Sequence, residues 1–261
     1  MKPATTVGKV CRILAEFRSR PSMGVTEIAR RVDLWPSDVH RILTSLASFG
    51  FIEQSPTNKT YRLGMGMMKL GLAVFQRNEL REAARSLLQR LSEENDATAH
   101  LAIFDARELD TFLTDQMDAT GEVPFKPRYG AVALPHSSAL GKVIAANLDR
   151  KVALELVKKY GMAKSTARTI TTLEMLEEEW DRIYAQGYGL DLEETAEGAC
   201  CIGAPVRDWS GAVVAAISVS MPAGRFHRFP ESQLAASVRH AAAELSAAAG
   251  HRPQPNFADA S

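Results

Sequence analysis

The sequence predicts two folded parts, an N-terminal winged helix-turn-helix and a C-terminal α+β domain, and three observations support this. The chain has 261 residues, which exceeds the usual length of one small domain. Near the N-terminus, the apolar pattern has the order helix, short helix, turn, helix and hairpin. Further along, pairs of strands are mixed with helices, which is typical of an α+β fold rather than of a parallel sheet.

Apolar residues spaced three and four positions apart predict three helices within residues 1–65. The inward-facing positions of these helices are Val10, Ile13, Leu14, Phe17, Ile28, Ala29, Val32, Val39, Ile42, Leu43 and Leu46. Thr26 is expected to cap the second helix, and the third helix is expected to begin near Pro36. Gly50 is expected at the C-terminal cap of the third helix. Two short strands around the turn-rich segment 55–59 predict a hairpin, the wing.

Residues 66–95 are predicted to be helical, as a connector over residues 66–79 followed by the first helix of a second domain. This second domain is expected over 80–250, and a disordered tail over 251–261. The strands of the second domain are predicted at 97–104, 109–114, 200–207 and 212–221, and its helices at 137–147, 149–160, 172–186 and 231–249. One cluster of acidic residues is interpreted as the solvated face of a helix. Its members are Glu174, Glu177, Glu178, Glu179 and Asp181.

Composition and charge narrow the possible classes of protein. No run of 18 apolar residues is present, and the N-terminus lacks the long apolar run of a signal peptide. The three cysteines, two of them adjacent, do not suggest a disulfide framework, so the reducing cytoplasm is the expected compartment. The net charge is zero, yet residues 1–65 contain ten basic and five acidic residues, and the remainder balances them. A positive N-terminal part points to a polyanion such as nucleic acid.

The third helix carries short polar side chains and one arginine on the face opposite its apolar one. Short side chains let a helix enter the major groove of DNA, and arginine donates to guanine or to phosphate. Two basic residues in the wing are placed to meet the DNA backbone. The candidate DNA-binding residues are therefore Thr26, Ser37, Asp38, His40, Arg41, Thr44, Lys59 and Arg62. An ordinary exposed face of a helical bundle is the alternative.

The segment from Val25 to Gly64 resembles the DNA-binding domain of the IclR family of bacterial transcriptional regulators. The matching motifs are Ser37-Asp38-Val39-His40-Arg41-Ile42-Leu43, then Leu46 and Gly50, and finally Tyr61-Arg62-Leu63-Gly64. Asp38 departs from the family pattern, which often has threonine there, and aspartate accepts from the amino group of cytosine. The target sequence is therefore expected to differ from that of better-known relatives.

Four later segments are similar to the effector-binding domain of the same family, a GAF-like fold. They are residues 137–142, 187–194, 198–206 and 215–220, so the resemblance covers about residues 7–249. It implies a pocket for small organic acids, contacted at positions that match Asp191, Cys201, Ser218 and Ser220. The helix predicted at 137–147 begins with serines, and its first free N–H groups, on Ala139 and Leu140, suit a carboxylate. Ordinary turn, core and strand residues are the alternative reading of these positions.

Strand pairing predicts which side chains share the face of this pocket. Alternate positions of the last strand, which include both serines, point to the same side of the sheet. If Arg207 pairs with Ala212, then Cys201 lies opposite Ser218, and opposed residues point the same way. A bulge at Gly211 would shift this pairing by one residue.

Together, these patterns predict a sequence-specific DNA-binding transcriptional regulator, with repression favoured over activation, whose DNA affinity responds to a carboxylic acid. A homodimer or a dimer of dimers on a palindromic operator is expected, since dimeric helix-turn-helix proteins contact half-sites about 34 Å apart. No cofactor and no metal are expected, because the cysteines and histidines lack metal-site spacing. Two alternatives are a winged-helix protein-interaction module and a Cys-dependent enzyme. The enzyme would use Cys200 or Cys201 with His136, His100 or Asp191.

Overall fold

The computed structural model describes residues 5–18, 20–76, 79–118 and 129–252. The chain divides into two compact units, Met1–Asn78 and Glu79–Ser261. The tail expected to be disordered lies, beyond residue 252, outside the described residues. Within the described ranges, no helix is both long and apolar enough to cross a membrane.

The N-terminal unit contains the predicted three helices and hairpin, followed by a helix in the connector. Its elements are α1 Thr6–Glu16, α2 Val25–Val32, α3 Pro36–Ser48, β1 Ile52–Gln54, β2 Tyr61–Leu63 and α4 Met65–Gln76. The inward faces of α2 and α3 are buried as predicted, and they pack with Ile13 and Phe17 of the first helix region. Ile52 and Tyr61 close this core from the hairpin, so the wing is anchored to the helices.

The prediction that Thr26 caps α2 is wrong, because α2 begins at Val25, one residue before Thr26. Gly24 is the N-cap, with an extended backbone, and Thr26 lies exposed inside the first turn. The cause is tertiary, since the backbone of Met23 pairs with Tyr61 and holds the chain extended up to the helix. Gly50 follows α3 with φ +72°, which is the left-handed conformation typical of a glycine that ends a helix.

The C-terminal unit is built around one antiparallel sheet. Its elements are α5 Glu79–Asn95, β3 Thr98–Asp105, β4 Asp110–Met117, α6 Ala139–Ala146, α7 Arg150–Tyr160, α8 Leu173–Gln186, β5 Gly189–Leu192, β6 Ala199–Arg207, β7 Val213–Pro222, α9 Ala223–Phe226 and α10 Glu231–Ala248. The strand order is β4-β3-β7-β6-β5. The predicted elements are present with ends that differ by at most three residues, whereas the edge strand β5 and the short helix α9 were not predicted.

Helices cover both faces of this sheet. On one face, α5 and α10 pack through apolar residues such as Leu88 and Leu234 against Ile217 of β7. On the other face, α6 packs against β5, β6, β7 and α8, and Val143 of α6 and Ile183 of α8 both lie close to Gly189 of β5. Side chains alternate between these two layers along each strand, so each inner residue belongs to one layer only.

The predicted pairing of β6 with β7 is wrong by two residues. Arg207 pairs with Val213, and a bulge then lets Val206 pair with Ala215, so that Cys201 lies opposite Ser220. The five-residue loop between the strands is held by the Asp208 carboxylate, which accepts hydrogen bonds from two backbone N–H groups of the loop. A shift of two residues leaves every side chain on its expected face.

Candidate functional site

A cavity lies between the sheet and the N-terminus of α6. It has a volume of roughly 180 Å³, comparable with an apolar cavity of about 150 Å³ that holds benzene. Its lining includes the six residues expected to bind an effector: Ala139, Leu140, Asp191, Cys201, Ser218 and Ser220. The structure therefore brings together positions that are up to 81 residues apart in the sequence, from Ala139 to Ser220.

Two polar rows run across the sheet beneath this cavity, one residue from each strand. In the first row, Asp191 lies opposite Cys201, which lies opposite Ser220. In the second row, Gly203 lies opposite Ser218, which lies opposite His100. Every residue of these rows except Gly203 lines the cavity, whereas their neighbours along the strands belong to the core on the other face.

Two glycines permit close backbone packing beside the cavity, Gly141 between α6 and the segment before it, and Gly203 between β6 and β7. A Cβ atom on Gly141 would lie 2.2 Å from the carbonyl oxygen of Leu134, so only glycine fits there. A Cβ atom on Gly203 would lie 3.1 Å from the Ile217 carbonyl oxygen and 3.2 Å from the Ser218 Cβ. A side chain at Gly203 would therefore press against β7 next to Ser218, which lines the cavity.

The N-terminus of α6 gives the cavity an end that suits an anion. Ser138 is the N-cap, and its hydroxyl oxygen accepts a hydrogen bond from the Gly141 N–H at 3.0 Å. The N–H groups of Ala139 and Leu140 belong to the first turn, where a helix offers no internal acceptor. These donors and the helix dipole favour a carboxylate at this end.

Asp191 stabilises the turn after β5, which also lines the cavity through Thr195. Its Oδ1 accepts hydrogen bonds from the N–H groups of Glu194 at 2.8 Å and Thr195 at 3.2 Å. Burial nevertheless raises the pKa of the Asp191 carboxyl above its usual value. A polar group that is this buried helps to shape the turn after β5.

The two adjacent cysteines remain thiols in this environment. The Ser220 hydroxyl donates to the Cys201 sulfur at 2.9 Å. Burial raises the pKa of the Cys201 thiol and, with nearby carboxylates, raises that of Cys200 to about 11. Since the thiolate is the reactive form of cysteine, neither residue has the electrostatic setting of a nucleophile.

A buried lysine joins α6 to α8 and to the turn after β5, and sequence analysis did not predict its contacts. The Lys142 side chain is fully buried, with Nζ 3.0 Å from Glu179 Oε1 and 2.5 Å from Glu194 Oε1. Burial raises the pKa of Glu194 to about 7, although Lys142 opposes this rise. Glu179 was expected on a solvated face and is in fact buried.

The DNA-binding candidates lie mainly on exposed positions of the N-terminal unit. The exposed candidates are Thr26, Ser37, His40, Arg41, Thr44, Lys59 and Arg62. Asp38 is half-buried, and its carboxylate accepts from Lys9 Nζ at 2.9 Å and Arg41 Nη2 at 3.3 Å. Asp38 therefore orients basic side chains from α1 and α3. Arg62 in the wing pairs with Glu53 at 3.0 Å.

An exposed tryptophan also lies at the start of α3, and sequence analysis did not select it. Trp35 is the N-cap of the helix and is 78% exposed. The sequence feature that could have identified Trp35 is its position before Pro36, in the turn between α2 and α3. Ser37 and Arg41, which follow it in α3, are exposed as well.

The fold and these sites together define a DNA-binding transcriptional regulator with a ligand-binding domain, and comparisons with known proteins agree. A family model described as the IclR helix-turn-helix domain matches residues 6–56. A second, described as the bacterial transcriptional regulator IclR C-terminal region, matches residues 72–247. The chain therefore belongs to the IclR family of bacterial transcriptional regulators.

Individual relatives are similar along almost the whole chain. The HTH-type transcriptional regulator KdgR of Escherichia coli is 32% identical over 251 residues, which are 96% of this chain and 95% of that protein. The transcriptional repressor IclR of Escherichia coli is 28% identical, over 89% of this chain and 85% of the relative. A crystal structure of an IclR homolog with 4-hydroxybenzoate, from Microbacterium hydrocarbonoxydans, has a TM-score of 0.75 and 22% identity, covering 94% and 98% of the two chains.

Proposed function

We propose that a small organic acid bound in the cavity changes the affinity of this regulator for DNA. We also propose that the protein represses transcription, acts in the cytoplasm, and binds a palindromic operator as a homodimer or dimer of dimers. The observation that carries the proposal is one cavity that combines a helix N-terminus with polar residues from two rows of the sheet.

The carboxylate of the acid would bind at the α6 end of the cavity. The N–H groups of Ala139 and Leu140 supply donors there, and the helix dipole supplies partial positive charge. The polar rows supply hydroxyl, thiol and carboxyl groups for the rest of the molecule. A ligand in contact with both α6 and the turn after Asp191 would stabilise one arrangement of these walls, and such differential binding is what couples two sites.

DNA binding is proposed to use the exposed face of α3 and the wing. Arg41, which is 79% exposed, is placed to reach a base edge or a phosphate, while Lys59 and Arg62 meet the DNA backbone. One winged helix covers one half-site, so two copies of the chain would read two half-sites one helical turn apart. Because the two DNA-binding units of a symmetric dimer are equivalent, we expect the two half-sites to form a palindromic operator.

A single backbone donor tests the acid-binding end. Ala139→Pro removes one N–H group at the first helical position, where proline is well tolerated, and the preceding Ser138 already has an extended backbone. We expect weaker binding of carboxylic acids in calorimetry without loss of the folded state. Ala139→Gly retains the N–H group and is the matched control. Equal acid binding by the two variants would contradict this placement of the carboxylate.

DNA contacts are tested with full-length protein and duplexes selected from a random pool. Arg41→Ala is expected to weaken binding and to relax the preference for a base in each half-site, by about 1–3 kcal/mol if it contacts guanine. Lys59→Ala is expected to reduce the dependence of affinity on salt by one phosphate contact. Lys158→Ala removes an exposed charge from the C-terminal unit and is the control. Unchanged affinity in Arg41→Ala would favour a role in protein interaction.

The coupling itself is tested by fluorescence anisotropy of a selected duplex titrated with carboxylic acids. We expect at least one acid to shift the DNA affinity of the wild type and to have less effect on Ala139→Pro. Turnover of the same acids is expected to be absent, because both cysteines are held as thiols. An acid consumed by the wild type and not by Cys201→Ala would instead favour an enzyme.

A further inference from the structure

His100 is a buried polar side chain in the cavity with an unsatisfied ring nitrogen. The residue is 3% exposed and lines the cavity. Its Nδ1 atom is buried and has no hydrogen-bond partner among the described residues. Buried polar atoms almost always have a partner, so each exception requires an explanation such as a water or a ligand group.

The position of His100 separates it from the proposed anion end. Gly203 lies beneath the start of α6, since a Cβ there would be 3.7 Å from the carbonyl carbon of Ala139. Ser218 and then His100 follow on the next two strands. Two strand spacings amount to about 10 Å, so a ligand group at His100 is expected to lie away from a carboxylate at the start of α6.

The charge state of His100 restricts what it can recognise. Burial lowers the pKa of its ring to about 4, so the imidazole is neutral at pH 7. One nitrogen of a neutral imidazole donates and the other accepts. A second carboxylate at this end would find no positive charge on His100 to offset its burial, whereas a hydroxyl or carbonyl oxygen would need none.

We infer that His100 hydrogen-bonds a neutral oxygen of the effector, and that the effector is a monocarboxylic acid with a hydroxyl or carbonyl group distant from its carboxylate. This inference rests on the proposed function and makes the effector class more specific. His100 therefore selects among acids, while the α6 N-terminus binds the carboxylate that they share.

Matched pairs of acids test the inference by calorimetry with the full-length protein. Suitable pairs are 4-hydroxybenzoate with benzoate, and 4-oxopentanoate with pentanoate, since each pair differs only in a distal oxygen. We expect the wild type to bind the oxygenated member of at least one pair about tenfold more tightly. His100→Phe should reduce that ratio to about one, and His240→Phe, which alters a histidine that is 76% exposed, should not change it.

The outcomes separate this inference from the proposal on which it depends. If acids bind but the ratio is the same in the wild type and His100→Phe, the inference is wrong and the proposed function stands. If no acid of either pair binds the wild type, the proposed function loses its support as well. Should His100→Phe fail to fold, nitrogen NMR of the wild-type imidazole gives the answer. The Nδ1 resonance must then shift with 4-hydroxybenzoate or 4-oxopentanoate and stay fixed with the partner acid.

Discussion

Replacing Lys142 with methionine should destabilise the C-terminal unit by about 3 kcal/mol. The lysine is fully buried and pairs with Glu179 and Glu194, and removal of one partner of a buried ion pair costs about 3–5 kcal/mol. We expect the lower end of this range for two reasons. Arg182 still pairs with Glu179 at 2.7 Å, and Glu194, whose pKa is already about 7, escapes part of the penalty by binding a proton.

Urea unfolding followed by tryptophan fluorescence reports on the stability of the C-terminal unit, in which Lys142 lies. Trp180 is 1% exposed and lies in the C-terminal unit, whereas Trp35 and Trp209 are 78% and 79% exposed and change little on unfolding. Lys158→Met is the control, because Lys158 is 77% exposed and pairs with a glutamate at 3.6 Å. Its effect should stay within about 0.5 kcal/mol.

The double variant Lys142→Met with Glu194→Gln should recover part of the lost stability, since it removes the carboxylate left without a partner. A loss below about 1 kcal/mol in Lys142→Met would refute the assignment of Lys142 as the counter-charge of two buried carboxylates. The assignment would equally fail if the double variant were no more stable than Lys142→Met.

Three further predictions concern stability. The lowered pKa of His100 should reduce the unfolding free energy by about 3 kcal/mol as pH falls from 6.5 to 4, because only the unfolded chain gains the proton. His100→Phe should remove this loss, and an unchanged pH profile would contradict it. Glu194 has a raised pKa, so its contribution declines as pH rises from about 4.5 to about 7. Glu194→Gln should abolish that decline in urea titrations. Gly141→Ala should cost more than about 2 kcal/mol, because its Cβ would lie 2.2 Å from a carbonyl oxygen. Gly224→Ala, with no atom within 4 Å, should change the urea midpoint little.

Local patterns predicted most of the secondary structure. The spacing of apolar residues located α1, α2 and α3, and it separated the buried positions Val39 and Leu43 from exposed positions such as Arg41. Alternation along β7 placed Ser218 and Ser220 on one face. This prediction is correct although the predicted pairing with β6 was wrong by two residues, because a shift of two residues does not change the face. The resemblance to one family of regulators located the positions that line the cavity.

The predictions that were wrong depend instead on contacts between residues that are far apart in the sequence. The start of α2 depends on the pairing of Met23 with Tyr61, and the cap therefore could not be assigned from residues 24–26 alone. The interpretation of Glu179 as solvated was wrong because its partner, Lys142, is 37 residues away in the chain. No spacing rule connects such positions before the fold brings them together.

By itself, the sequence determined which segments form helices and strands, which of their faces are apolar, and to which family the chain belongs. These properties depend on residues a few positions apart, and local periodicity records them. Only the tertiary structure decided that Lys142 neutralises two carboxylates and that His100 faces the cavity beside Ser218. The physical reason is that hydrogen bonding and desolvation act over a few ångströms of space, whatever the distance along the chain.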